Sequence, residues 1–192
     1  ALESGIFDEV MVSTDDERIK DIAIKYGANV PFMRSNENSN DNATTQDVLL
    51  EVLNMYKKQG KQFDYGCCIY PTAPFITDDK LKESYEKLIK SDADTVLPVV
   101  SFSFPPQRCF VIENDILKYK WPENSLKRSQ DLEKWYHDCG QYYFFKTKRF
   151  IETKNIIMEK TIPIIVDEME VQDIDNYTDW ELAELKYRMK NK

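Results

Sequence analysis

Short apolar runs alternate with helix-like patterns through the first half of the chain. Residues 7–13 read as a strand that ends in polar side chains, and apolar positions at helical spacing follow it. Residues 65–70 are a continuous apolar run, as expected of a parallel strand buried on both faces, and residues 94–100 are predicted to be another buried strand. This alternation predicts an α/β fold in which helices cover both faces of a mainly parallel sheet. Ligands of such folds bind outside the carboxyl ends of the strands, which here are polar or turn-forming.

Three segments carry helix-start signals. Thr14 with Glu17 three residues later has the form of a capping box, and so does Thr178 with Glu181. Thr77 is the predicted cap of the helix that follows residues 65–70. The sequence therefore predicts helices that begin directly after these residues.

The pattern of apolar and polar positions changes after Ser101. Residues 101–140 hold aromatic, proline and charged residues with no sustained helical period. Residues 109–112 and 117–121 are predicted to form a hairpin around Glu113, Asn114 and Asp115. An irregular excursion from an α/β core usually serves a partner or a substrate.

Composition and charge limit the classes of function. The chain has 192 residues with 42% apolar residues, which favours an ordered domain with a core. A net charge of −8 argues against a broad nucleic-acid surface. No apolar run is long enough to span a membrane and no signal peptide is visible, so we expect a cytoplasmic protein without a membrane partner. Four cysteines without a CxxC pair, and a single histidine, favour reduced thiols over a zinc site.

Asp173 and Asp175 lie in the segment Gln-Asp-Ile-Asp, between a predicted strand and the last helix. Carboxylates two residues apart in an extended segment project to the same side. They could hold one magnesium ion, which would offset charge in a displacement at phosphorus. From the spacing alone, a solvated acidic turn in which Asp175 assists the helix cap is the commoner interpretation.

Basic and amide side chains form a second candidate set. Arg34 begins a polar loop, where a guanidinium can pair with a phosphate or a base carbonyl, although an ordinary surface arginine is the simpler interpretation. The irregular excursion contributes arginine, glutamine and histidine, a combination that suits a ligand rich in hydroxyls and carrying a carboxylate. These residues are Arg108, Arg128, Gln130, His137 and Gln141. A lone histidine such as His137 is more often structural than catalytic.

The order of three motifs resembles the acylneuraminate cytidylyltransferase family. The motifs are FDEVMVSTDD at residues 7–16, YPTAPF at 70–75 and QDID at 172–175. Three further stretches are similar to the pseudaminic acid branch of that family: FSFPPQR at 102–108, RSQDL at 128–132 and YHDCGQ at 136–141. The resemblance covers essentially the whole chain.

The resemblance implies a Rossmann-like three-layer α/β/α domain over residues 1–192, similar to nucleotide-diphospho-sugar transferases. Residues 101–141 would form an insertion for dimerisation and sugar binding within it. The implied reaction joins CMP from CTP to a nine-carbon acidic sugar, pseudaminic acid, and releases pyrophosphate. The alternatives are N-acetylneuraminate or legionaminate as the acceptor, a 3-deoxy-octulosonate enzyme, and a non-catalytic nucleotide-binding module.

Roles follow by position from the family pattern. Asp173 and Asp175 would ligate Mg²⁺ and so support catalysis, and Arg34 would meet the cytosine. The turn formed by Pro71, Thr72 and Ala73 would lie along the nucleoside. Arg108 and Arg128 would face the sugar carboxylate, with Gln130, His137 and Gln141 near its other groups. Family members are similar in forming homodimers, in which the excursion would reach the partner's site.

One departure concerns the N-terminus. The family's first strand and its phosphate-binding loop, rich in Gly, Arg, Ser and Lys, have no counterpart in this sequence. Such a loop would supply positive charge to the leaving pyrophosphate. The sequence therefore leads us to expect a domain that is incomplete at its N-terminus.

Overall fold

The computed structural model describes residues 1–190. Its helices and strands, in chain order, are α1 (Glu17–Lys25), α2 (Thr45–Lys58), β1 (Tyr65–Ile69), α3 (Asp78–Lys90), β2 (Thr95–Ser101), β3 (Phe110–Glu113), β4 (Ile116–Tyr119), β5 (Tyr136–Asp138), β6 (Tyr142–Lys146), α4 (Thr147–Thr153), β7 (Thr161–Ile165) and α5 (Tyr177–Lys190). They form two compact units: Ala1–Leu97 with Gln141–Pro163, and Pro98–Gly140 with Ile164–Lys192. We call these the first and the second unit and describe each by itself. The single domain with an insertion at residues 101–141 stays a prediction.

The sheet of the first unit has β6 at its centre. β6 pairs antiparallel with β1 on one side and antiparallel with the start of β2 on the other. β1 and β2 therefore run in the same direction, as the strand–helix–strand pattern predicts, but they are not neighbours. The α/β class is confirmed, whereas the prediction of mainly parallel pairing is wrong for these strands. An apolar run indicates burial on both faces, and it does not indicate which strand lies alongside.

Helices cover both faces of β6. Successive side chains of a strand point to opposite faces, so Phe144 and Phe145 mark the two sides. Tyr85 of α3 lies against Phe144, with ring centroids 6.3 Å apart. Phe150 of α4 lies against Phe145 at 5.0 Å. Since both phenylalanines are almost fully buried, the first unit has the predicted three layers of helix, sheet and helix.

The second unit contains the end of β2 and the predicted hairpin. The end of β2 pairs antiparallel with β5, Val100 opposite His137. β3 and β4 pair antiparallel, and Asn114 and Asp115 between them both have positive φ angles. Two consecutive residues of this conformation are typical of a tight hairpin turn. The hairpin prediction is confirmed.

One of the three predicted helix caps is confirmed and two are wrong. Thr77 caps α3 as expected, because its side chain accepts the Lys80 amide. α1 is capped by Asp16, whose carboxylate accepts two backbone amides of the first turn, and not by Thr14. α5 begins at Tyr177, where Asn176 and Asp179 exchange side-chain and backbone hydrogen bonds. Acidic and amide side chains cap as well as threonine does, so the motif alone does not place the first residue.

Two other local features were not as predicted. Residues 7–13 form no regular strand, and Met11 makes only an isolated parallel bridge with Asn29. The short helix α4 was not predicted at all. Among residues 1–190, no helix has the length and apolarity that crossing a membrane requires.

Candidate functional site

Arg34 is fixed against the end of the segment that precedes α1. Its backbone amide donates to the Thr14 carbonyl at 2.8 Å. Its Nε donates to the Ser13 hydroxyl at 3.1 Å, and an Nη2 hydrogen goes to the Ser13 carbonyl. A guanidinium has five N–H donors, so Nη1 and one Nη2 hydrogen are left over from these two bonds. Arg34 is thus oriented by the protein and retains donors for a ligand.

The turn at Pro71, Thr72 and Ala73 follows β1 in the same unit. Pro71 and Thr72 are exposed, and Ala73 is half-buried. Tyr70 holds the start of the turn: its amide donates to the Gln141 carbonyl at 2.9 Å. The Tyr70 hydroxyl also lies 3.1 Å from the Thr45 hydroxyl at the first position of α2. The turn therefore presents its backbone from a supported position, as predicted for a nucleoside contact.

Gln141 lies beside this turn and belongs to the first unit. Only 4% of its surface is exposed. The other four predicted sugar-binding residues belong to the second unit. The structure thus places Gln141 with the predicted nucleotide contacts, whereas the sequence grouped it with the sugar contacts.

Asp173 and Asp175 are both exposed, in the irregular segment before α5. The Asp173 carboxylate lies beside Gly140, where a Cβ atom would be 3.7 Å from Oδ1. The Asp175 amide donates to the Asp179 carboxylate at 3.0 Å, which ties the segment to the helix start. No basic side chain among residues 1–190 forms an ion pair with Asp173 or Asp175. Both carboxylates are therefore available to bind a ligand or water.

The donor chemistry of this pair fits magnesium. Mg²⁺ is usually held by one or two carboxylates, with waters and substrate phosphates completing its shell. Within residues 1–190, no group of three or more His, Cys, Asp or Glu side chains is arranged to hold a metal ion. Two aspartates are nevertheless the usual protein share of a magnesium site that also binds a nucleotide.

Arg108, Arg128 and Gln130 lie close together in the second unit. Arg108 Nη1 approaches the Ser129 hydroxyl at 3.4 Å, and Ser129 stands between the other two residues in the chain. The Nε of Arg108 is buried and has no hydrogen-bond partner among residues 1–190. A buried donor without a partner is costly, which makes this arginine a good candidate for an acceptor-rich ligand.

Arg128 already has an anionic partner. Its Nε and Nη2 donate to the two oxygens of Asp131 at 2.8 and 3.2 Å. The pair is exposed, and such surface pairs contribute at most about 1 kcal/mol. A substrate carboxylate that meets Arg128 would therefore compete with a weakly held aspartate.

His137 is exposed on β5. Its Nδ1 lies 2.9 Å from the Asp138 carbonyl, and its ring lies 4.8 Å from the ring of Phe102. The Nδ1 contact and the ring contact orient the imidazole. The arrangement suits a binding role, and it equally suits a structural one.

Sequence reasoning missed two residues that support the candidate nucleotide contacts. The sequence pattern marks Ser13 only as a strand end, yet Ser13 accepts two hydrogen bonds from Arg34. Glu51 was not singled out, yet its carboxylate binds the loop directly after Arg34. The sequence does contain a hint of this role. Glu51 is a carboxylate at the border of the apolar face of α2, next to Val52 and three residues after Val48.

Comparisons with known proteins agree with this chemistry. The sequence model of the family "Cytidylyltransferase" matches residues 1–187. A pseudaminic acid cytidylyltransferase of Campylobacter jejuni is 38% identical over 98% of this chain and 82% of its own length. A CMP-N,N'-diacetyllegionaminic acid synthase of Legionella pneumophila is 31% identical over 96% of this chain and 80% of its own length.

A solved structure supports the fold. The chain resembles a CMP:2-keto-3-deoxy-manno-octonic acid synthetase in complex with CTP, with a TM-score of 0.61. The match covers 99% of this chain and 85% of that one, at 13% identity. From the family match over residues 1–187 and the identity to the Campylobacter enzyme, we conclude that this chain belongs to the cytidylyltransferase family.

Proposed function

We propose that the protein transfers CMP from CTP to the anomeric hydroxyl of pseudaminic acid. The observation that carries this proposal is the 38% identity, over 98% of the chain, to a pseudaminic acid cytidylyltransferase. The hydroxyl oxygen forms a bond to the α-phosphorus, the bond to the bridging α–β oxygen breaks, and pyrophosphate leaves with that electron pair. The hydroxyl proton passes to solvent or to a base.

The nucleotide contacts are proposed for the first unit. Arg34 would donate its remaining N–H groups to the cytosine carbonyl and to N3, an acceptor that uracil replaces with an N–H donor, and Ser13 fixes its orientation. Pro71, Thr72 and Ala73 would lie along the nucleoside. This role is supported by their exposed or half-exposed position after β1 and by the anchoring of Tyr70.

Asp173 and Asp175 are the proposed magnesium ligands and catalytic residues. Bound magnesium would neutralise charge on the phosphate oxygens. Their exposure, and the absence of an ion pair to either within residues 1–190, support a role toward a ligand over a structural one. Gly140 leaves the space beside the Asp173 carboxylate free of a side chain.

The sugar contacts are proposed chiefly for the second unit. Arg108 would bind the substrate carboxylate after a side-chain shift that exposes its buried Nε, which lacks a partner among residues 1–190. Arg128 would release Asp131 and also bind the substrate carboxylate. Gln130 and His137 would contact hydroxyl or acyl groups of the sugar. Gln141 would act on the sugar only after its buried side chain turned outward.

We further propose that the protein is a homodimer and that residues 101–141 form its dimerisation and sugar-binding insertion. One face of the β3–β4 hairpin is apolar and exposed, with 73% of Ile112 and 59% of Leu117 accessible. These two residues are directly opposite each other, so they share a face. An apolar patch of this kind favours a protein contact. The cytoplasm remains the predicted site of action.

A pyrophosphate-release assay with CTP and Mg²⁺ tests the proposal, with three sugar acids offered separately. We expect release with pseudaminic acid and little release with N-acetylneuraminic acid. The 31% identity to a legionaminic acid enzyme makes N,N'-diacetyllegionaminic acid the second candidate acceptor. Preference for that acid would replace the proposed substrate. No release with any acid would contradict the enzyme and favour a non-catalytic nucleotide-binding module.

A further inference from the structure

The loop that follows Arg34 is held by one carboxylate on α2. Glu51 Oε1 accepts the Ser35 backbone amide at 2.8 Å, and Oε2 accepts the Ser35 hydroxyl at 3.1 Å. The Asn38 side-chain amide also donates to Oε2. Three donors from two loop residues thus converge on a single side chain. These hydrogen bonds attach residues 35–38, which include the short 3-10 helix Asn36–Asn38, to α2.

The charge of Glu51 matters to this clamp. Partial burial acts to raise the pKa of Glu51, but hydrogen bonds from Asn38 and Ser35, together with the positive charge of Arg34, hold it below its ordinary value. The side chain is therefore ionised at neutral pH and accepts on both oxygens. A glutamine would offer one oxygen and turn its own donors toward Asn38 or the Ser35 hydroxyl. The site thus distinguishes a carboxylate from an amide of the same shape.

The clamp acts on the neighbour of a proposed ligand-binding residue. Ser35 directly follows Arg34, whose backbone and side chain are bound to Thr14 and Ser13 on the other side. Arg34 is therefore bound directly by Ser13 and Thr14, and the loop that follows it is bound by Glu51. Loss of the Glu51 hydrogen bonds to this loop would let the Arg34 backbone shift relative to Ser13.

The same helix also supports the second proposed nucleotide contact. Thr45, at the first position of α2, lies at hydrogen-bond distance from the Tyr70 hydroxyl, and Tyr70 precedes the Pro71 turn. α2 thus contacts both segments: Glu51 holds the loop after Arg34, and Thr45 holds the turn after β1. A rigid helix of 14 residues is a suitable common support for two loops that share a ligand.

We propose that Glu51 is a positioning residue for nucleotide binding, which acts by fixing the loop after Arg34. The inference rests on the proposed function, since it requires that Arg34 meets the base of CTP. Glu51 itself would not touch the substrate. Its loss would weaken CTP binding and blur the distinction between CTP and UTP, while the reaction of bound substrate would change little.

The test is calorimetric titration of CTP and of UTP into the full-length protein and two variants, Glu51→Gln and Asn38→Ala. We expect Glu51→Gln to raise the Kd for CTP about tenfold, the size typical of lost hydrogen bonds to a charged group. The ratio of the Kd values for UTP and CTP should fall. KM for CTP should rise together with the Kd for CTP. Both kcat and the KM for the sugar acid should stay near their wild-type values. Glu86→Gln is the control, because Glu86 is an exposed carboxylate of α3 paired with Lys90.

The outcomes separate the two proposals. An unchanged Kd and an unchanged UTP-to-CTP ratio in both variants would overturn the role of Glu51 and leave the enzyme proposal standing. Failure of the wild type to bind CTP would overturn the enzyme proposal itself. Should Glu51→Gln fail to fold, Asn38→Ala carries the test, since it removes a donor from the loop and leaves α2 intact. A lower thermal midpoint with an unaltered Kd would show a purely structural role.

Discussion

The ring of Phe145 lies directly against the backbone of Gly66. The two residues are opposite each other in the β1–β6 pair, and a Cβ atom on Gly66 would lie 2.5 Å from the Phe145 Cζ and 2.7 Å from its Cε2. Phe145 is 2% exposed and also packs on Phe150, so the ring has little room to move. Glycine is thus required at this position for steric reasons, although its φ angle is not unusual.

Gly66→Ala should therefore destabilise the protein by about 1–3 kcal/mol, the usual cost of overpacking a core. Urea unfolding of wild type and variant measures the difference. The double variant Gly66→Ala with Phe145→Leu is the control, since the smaller leucine makes room for the new methyl group. The two changes should be clearly non-additive, and strict additivity would contradict the steric explanation.

Asp175→Ala and Asp173→Ala should each lower kcat by about 100-fold or more, if the pair holds magnesium at the reacting phosphate. Chelation of the metal should abolish pyrophosphate release, and added Mg²⁺ should restore it. Glu181→Gln, at an exposed position of α5, is the matched control and should retain wild-type activity. Two folded aspartate variants with full activity would remove these residues from the proposed site.

The double variant Ile112→Lys and Leu117→Lys should convert the proposed dimer to a monomer, because two charges would then have to be buried in the contact. Sedimentation velocity over a range of concentrations gives the oligomeric state. Ile151→Lys is the control, since Ile151 is 52% exposed on α4 of the first unit. A dimer that survives the hairpin variant would place the interface elsewhere.

The capping box of α2 should contribute to acid sensitivity. Hydrogen bonds from the Thr44 side chain and amide hold the pKa of Asp47 below its ordinary value of 3.8. Because the folded pKa is lower than the unfolded one, the contribution of Asp47 to stability is present above about pH 4 and is lost as the pH falls through the folded pKa. The thermal midpoint of Asp47→Asn should therefore change less between pH 6 and about pH 3 than that of the wild type.

Thr44→Ala provides the companion measurement. It removes the hydroxyl that contributes most to the lowered pKa of Asp47 and leaves the carboxylate in place. Its acid sensitivity should lie between those of the wild type and Asp47→Asn. Identical pH profiles for all three proteins would show that this box does not influence acid unfolding.

Much of the local structure could be predicted because its causes are local. The apolar runs of β1 and β2, the Thr77 cap of α3 and the tight turn at Asn114 depend on residues close together in the chain. The caps of α1 and α5 were misplaced because several neighbouring side chains can each satisfy the first amides of a helix. These errors moved helix starts by a few residues and left the elements in place.

The α/β class, the direction shared by β1 and β2, and the residue types that suit a nucleotide and a metal can all be inferred from the amino-acid sequence. Long-range packing, by contrast, places β6 between β1 and β2 and brings Ser13 to Arg34 and Glu51 to the loop after it. Periodicity reports which face of an element is buried, but not which distant segment covers it. The partners of Arg34 and Ser35 lie 21 and 16 residues away along the chain, and such pairs are made by packing alone.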